Sequence, residues 1–137
     1  MEKKIEELIH RLKQSRSLSE IKDACACSGG DTEVIHQLTE VLGSDEMSTR
    51  WKAAVALTDM GSPAVDDLIQ CLSDRKSCVR SSAAWVLGNI GDNRAVQFLL
   101  RNMEDPSADV RKETAEALGK LRVRTPNILM RNGTPLA

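Results

Sequence analysis

The side chains of this 137-residue sequence that could carry chemistry are two histidines, four cysteines and a row of arginines. A metal or acid–base site needs histidine, cysteine or carboxylate groups at spacings that let them converge. His10 and His36 are followed by Arg11 and Gln37 and have no second histidine near them in sequence. Cys25 and Cys27 lie two apart, which on a helix turns them about 160° from each other, a poor arrangement for holding one ion. Cys71 and Cys78 flank a turn between two expected helices with no histidine at a zinc-type spacing. Without secretory features the four thiols read as reduced, small and wholly or partly buried. Gly-rich phosphate loops, GxSxG and HExxH are all missing. The carboxylates read as solvated helix faces or caps, so no catalytic residue, metal site or cofactor is expected.

The arginines belong to a longer pattern. Starting at Arg50, Arg80 and Arg111 the chain reads RWKAAVALTDMG, RSSAAWVLGNIG and RKETAEALGKL, at separations of 30 and 31 residues. Leu57, Leu87 and Leu118 keep the same register, and so do Gly61 and Gly91. A second set precedes each copy or follows it: Ile35, Val65 and Val96; Leu38, Leu68 and Leu99; Leu42, Leu72 and Met103. A period near 30 with helical spacing inside each unit implies a solenoid of helix pairs, A then B. A cation at the start of an A helix is locally unfavourable, so a carboxylate should offset it. Asp74, Asp92 and Asp105 are the candidates for a structural ladder between units. With a net charge of −1, a row of arginines for phosphate is the weaker reading.

The elements follow. Residues 2–14 form an amphipathic helix through Ile5, Leu8, Ile9 and Leu12. Ser17 or Ser19 caps a second, reaching about Ser28, where Gly29 and Gly30 stop it. Asp31 caps the next, through Leu42. Ser44, Asp74 and Asp105 then cap the A helices, with Pro106 at a first helical position. The small residues Ala53, Ala54 and Thr58, their counterparts Ala83, Ala84 and Gly88, and then Thr114, Ala115 and Gly119 let neighbouring helices approach closely. Gly61 and Gly91 end A helices, and Ser62-Pro63 or Asp92 opens the B helix that follows. The expected fold is all-α, a right-handed alpha-alpha superhelix of antiparallel helix pairs, about eight helices in all. Residues 1–121 form the repeat domain, clear from 31 and degenerate before it. Residues 122–137 read as a flexible tail; alternatively Ile128, Leu129 and Met130 cap the open end, or a second copy does, giving a homodimer.

The stretch RSSAAWVLGNIGDNRAVQFLLRNMEDPSADVRKETAEALGKL resembles the HEAT repeat, in particular the short type named after phycobilisome lyases, with its VR, AA, ALG, IGD, AV and L pattern. The resemblance implies the solenoid fold but not one activity, since the family includes bilin lyases, an iron-dependent hydroxylase and many protein-binding scaffolds. The hydroxylases of this type bind two irons through repeated His-Glu pairs, which this sequence lacks. Three aromatic residues, Trp51, Trp85 and Phe98, are thin material for a tetrapyrrole pocket. The resulting expectation is a non-catalytic protein–protein interaction scaffold in the cytoplasm, binding neither nucleic acid nor membrane. The alternative is a bilin lyase-like enzyme or an accessory subunit of a lyase or cofactor-maturation complex.

In this family the B helices line the concave side, which places a partner protein or peptide against three rows of exposed residues. These are His36, Asp66 and Gln97; then Gln37, Asp67 and Phe98; then Glu40, Gln70 and Arg101. Phe98 either tucks against the chain end or anchors a contact, flanked by Gln97 and Arg101. Trp51 and Trp85 lie off the shared core positions and read as packing, Trp85 between A helices and Trp51 over their surface.

Overall fold

The computed structural model describes residues 2–17, 19–21, 23 and 31–122, and every regular element among them is helical. In chain order these are α1 (Glu2–Gln14), α2 (Asp31–Val41), α3 (Met47–Met60), α4 (Val65–Cys71), α5 (Ser77–Ile90), α6 (Val96–Arg101) and α7 (Ala108–Arg122). Cys25, Cys27, Gly29, Gly30 and residues 123–137, with the expectations placed on them, lie outside the described residues. α3 packs on α5 and α5 on α7, making the A layer; α2, α4 and α6 pack against α3, α5 and α7 respectively. Leu57, Leu87 and Leu118 are buried along the middle, met by Leu38, Leu68 and Leu99 from the B helices. Each such leucine removed from water is worth roughly 2 kcal/mol, and no single unit buries its share without its neighbours. The expected all-α solenoid is the observed one.

The repeated arginine does the same thing in all three units. Arg50 Nη1 donates to the Ser44 carbonyl at 2.6 Å, Arg80 Nη1 to the Asp74 carbonyl at 2.8 Å, and Arg111 Nη1 to the Asp105 carbonyl at 2.7 Å. Each acceptor lies in the turn leaving a B helix, where carbonyls have run out of helical N–H partners. The guanidinium folds back from the positive helix end onto acceptors that need it. Of the three carboxylates expected to offset the row, Asp105 does so directly, in a fork from the preceding unit's Arg80, Nε to Oδ2 at 2.8 Å and Nη2 to Oδ1 at 3.0 Å, and the charge of Asp74 adds a weaker attraction to the same cation. Asp92 instead pairs with Arg94 at 3.0 Å, and Arg94 reaches Asp66 at 3.4 Å.

The turn chemistry is shifted from the expected caps. Ser44 Oγ accepts from the Glu46 N–H at 3.2 Å, Asp74 Oδ2 from Lys76 at 3.0 Å and Asp105 Oδ1 from Ser107 at 2.9 Å. These bonds reach two residues ahead and tighten the turn, so the A helices begin only at Met47, Ser77 and Ala108, leaving Pro106 outside α7. Asp31 likewise stands inside α2. At the other end Gly61 and Gly91 have φ of 70° and 76°, a conformation that glycine accepts cheaply where an A helix must stop.

Candidate functional site

A cleft of about 420 Å³ opens on the A layer, across the first turns of α3, α5 and α7. Its shape follows from side-chain size in the repeat register. Trp51, Ser81 and Lys112 occupy one repeat position, Lys52, Ser82 and Glu113 the next. The middle helix α5 lines the cleft with the small residues Ser77, Cys78, Ser81 and Ser82, while larger groups stand on either side: Met47, Arg50 and Trp51 from α3, and Asp109, Lys112 and Glu113 from α7. Trp85 lies farther along α5 and also lines the cleft. Met47 is 74% exposed and Trp51 58%. Trp51 stands at the edge of the cleft on the A surface as an exposed apolar lip. Trp85 is half-buried against the core, as expected, with Lys120 Nζ 5.9 Å from the ring centroid.

Glu113 is the anomaly of the cleft. Its Oε2 is out of water and has no hydrogen-bond partner. Burial pushes its carboxyl above the ordinary range, and Glu116 and Asp109 add to the rise against Lys112 and Lys120. A buried acceptor left unpaired costs about 1–3 kcal/mol, a penalty that a bound donor would remove. Cys78 also lines the cleft, and Cys71 lies at the C-terminal end of α4; both are free thiols, and burial pushes Cys71 up to about 11. No three histidine, cysteine, aspartate or glutamate side chains gather around a common point among the described residues. The described side chains thus do not fit an iron pair, and the sequence has no His-Glu pair.

The B-helix residues proposed from sequence separate into two levels. His36, Glu40, Asp66, Gln70, Gln97 and Arg101 are exposed, with His36 Nδ1 3.3 Å from Asp67 Oδ2. Gln37, Asp67 and Phe98 are not the open row expected: Gln37 is only 5% exposed, Asp67 is half-buried, and Phe98 packs on the core with the Arg101 guanidinium 5.5 Å from its ring centroid. Position 37 adjoins Leu38 and lies three residues from Val34, inside the apolar stripe of α2, and its register mates share that depth. The cleft itself went unread in the sequence. Its signal was there, as two tryptophans on A helices either side of a run of serines.

Stacked helix pairs at a repeat of about 30 residues define an α-solenoid. The family of HEAT repeats matches residues 35–119, and the chain belongs to it. A deoxyhypusine hydroxylase from Candida albicans is 28% identical over 106 residues, covering 66% of this chain and 33% of that protein. The structure of human deoxyhypusine hydroxylase in complex with glycerol superposes with a TM-score of 0.58 at 25% identity, over 87% of this chain and 43% of that one. The chain therefore spans less than half the length of either relative. These relatives are enzymes, which overturns the expected non-catalytic scaffold, and they point away from the phycobilisome-lyase type. The missing His-Glu pairs bear on a metal site and not on the repeat through which these proteins are similar. No described helix is long and apolar enough to cross a membrane.

Proposed function

We propose that this chain is the substrate-holding unit of an enzyme of the deoxyhypusine hydroxylase kind, and that the A-layer cleft is where it holds an amine-bearing side chain. The observation that carries this is Glu113, a carboxylate with a dry, unpaired oxygen in a cleft also lined by two tryptophans. Deoxyhypusine is a lysine side chain lengthened by an aminobutyl arm: an aliphatic stem carrying amines that are cationic at neutral pH. Trp51 and Trp85 suit the stem, and Glu113 suits an ammonium group, which would supply the missing hydrogen bond and lower the carboxyl's proton affinity. His-Glu pairs are missing, and no set of metal donors converges among the described residues, so no step here runs through a metal. The chain's part is to bind and orient.

Both tryptophans of the sequence line the cleft, so their fluorescence reports its occupancy. Titration with a deoxyhypusine-containing peptide should change the emission saturably, with at least tenfold weaker binding in Glu113→Gln and a smaller loss in Trp51→Ala. Binding should also weaken as pH falls through the raised Glu113 carboxyl, because only the ionised form attracts the amine. No saturable change, or binding indifferent to Glu113→Gln, would refute the assignment.

A further inference from the structure

The last A helix brings two carboxylates to the cleft at positions where the repeat has no need of them. Asp109 and Glu113 both line it, and their register mates are Ser48 and Lys52 in one unit and Cys78 and Ser82 in the next. Residues four apart share one face of a helix, and like charges at that spacing repel and weaken it. Neither carboxylate has an ion-pair partner among the described residues. Lys112 and Lys120 attract Glu113 without closing a bridge, and Lys120 instead donates to Asn89 Oδ1 at 2.8 Å. The two acids also differ in depth: Asp109 is exposed in the first turn of α7, whereas Glu113 is half-buried with its dry, unpaired oxygen. Helix packing uses neither group, and both face the space that the two tryptophans line.

We infer that Asp109 is the second amine contact of the cleft, and that Asp109 and Glu113 together select a diamine arm with four methylenes between its nitrogens. This assignment rests on the amine-holding role proposed for the cleft and adds a residue that sets its specificity. The rise of an α-helix puts the two positions about 6 Å apart along α7, and an extended four-methylene arm separates its nitrogens by about the same distance. Each methylene more or fewer changes that span by about 1.3 Å. The deoxyhypusine side chain carries such an arm, between a secondary amine and a terminal primary amine. The terminal ammonium leads the arm inward to the shielded Glu113, and the secondary ammonium meets Asp109 nearer the water. An unmodified lysine has one amine and satisfies only one of the two acids, so the pair favours the lengthened side chain over its precursor.

Tryptophan emission of the full chain tests this, with free amines and with the deoxyhypusine-containing peptide. Among 1,3-diaminopropane, 1,4-diaminobutane and 1,5-diaminopentane, the four-methylene ligand should bind about threefold more tightly than either neighbour. Asp109→Asn should weaken 1,4-diaminobutane and the peptide about fivefold, the scale of one exposed charge contact, and should flatten the length preference. Butylamine, with one nitrogen, should bind wild type and Asp109→Asn alike. Asp109→Glu, which keeps the charge, should recover most of the loss, and far-UV circular dichroism should be the same for all three proteins. A saturable peptide response that Asp109→Asn does not weaken overturns this inference and leaves the role of Glu113 standing. A length preference that survives in Asp109→Asn, or a loss for butylamine as large as for the diamine, does the same. No saturable response to the peptide removes the amine-holding role and this inference with it.

Discussion

Replacing Arg80 with methionine should lower folding stability by about 3 kcal/mol, read as a fall in the urea midpoint at unchanged slope. Methionine keeps much of the aliphatic length, so the loss isolates the guanidinium. Arg80 makes four bonds at once: two in the fork to Asp105 and one each to the carbonyls of Asp74 and Arg75. The pair is largely shielded, with 16% of the arginine side chain and 7% of the aspartate exposed, placing it between surface bridges and fully buried ones. Removing the cation leaves the Asp105 carboxylate with one hydrogen bond, from the Ser107 N–H, and the weaker attraction of Arg111. Arg80→Lys should recover only part of the loss, because an ammonium cannot match the planar fork. Arg50 and Arg111 hold their carbonyls without a carboxylate fork, and their methionine variants should cost less.

The same fork has a pH signature. The hydrogen bonds from Arg80 hold the Asp105 carboxyl below its ordinary range. A carboxyl lowered in the folded state stabilises the fold above its unfolded value, near 4, and that contribution is lost as pH falls through the folded value. The stability gap between wild type and Arg80→Met should therefore be full at neutral pH and narrow below about pH 4. Glu113 runs the other way. Its raised carboxyl favours the folded state at low pH, and that contribution disappears as pH rises through the folded value.

Much of this was open to reading in the chain, because repetition multiplies each weak signal. One leucine is ambiguous, whereas Leu57, Leu87 and Leu118 in register define a spine. The arginine row was legible as structural, and Asp105 as a rung, but not the backbone carbonyls, since acceptors six residues back depend on how tightly the intervening turn closes. The cleft was harder to see for a different reason. It arises where the repeat is broken, with Trp51, Ser81 and Lys112 at one position, and a hollow made by unequal neighbours leaves no periodic trace. Gln37 is buried against expectation because α2 carries a broad apolar stripe with a polar residue inside it. The missing His-Glu pairs bear on a metal site alone, whereas the similarity to the deoxyhypusine hydroxylases rests on the repeat as a whole.

The same substitution at one repeat position should have opposite effects in neighbouring units. Gly88→Ala should cost about 2 kcal/mol: a helical alanine is worth about 1 kcal/mol over glycine, but its Cβ would press on backbone, 2.7 Å from Ala117 Cα, with no flexible side chain to yield. The strain has to be relieved by moving α5 and α7 apart, which loosens the packing of Leu87 and Leu118. Gly119→Ala, 31 residues on, meets nothing within 4 Å and should gain up to about 1 kcal/mol in dilute protein, from helix propensity alone. Sequence alone assigns both glycines to close packing, yet only Gly88 has a helix beyond it in the described chain. Chemical denaturation of the two variants, side by side, separates the cost of the neighbouring helix from the intrinsic preference of the residue. A loss in both variants would mean that Gly119 is already covered in solution.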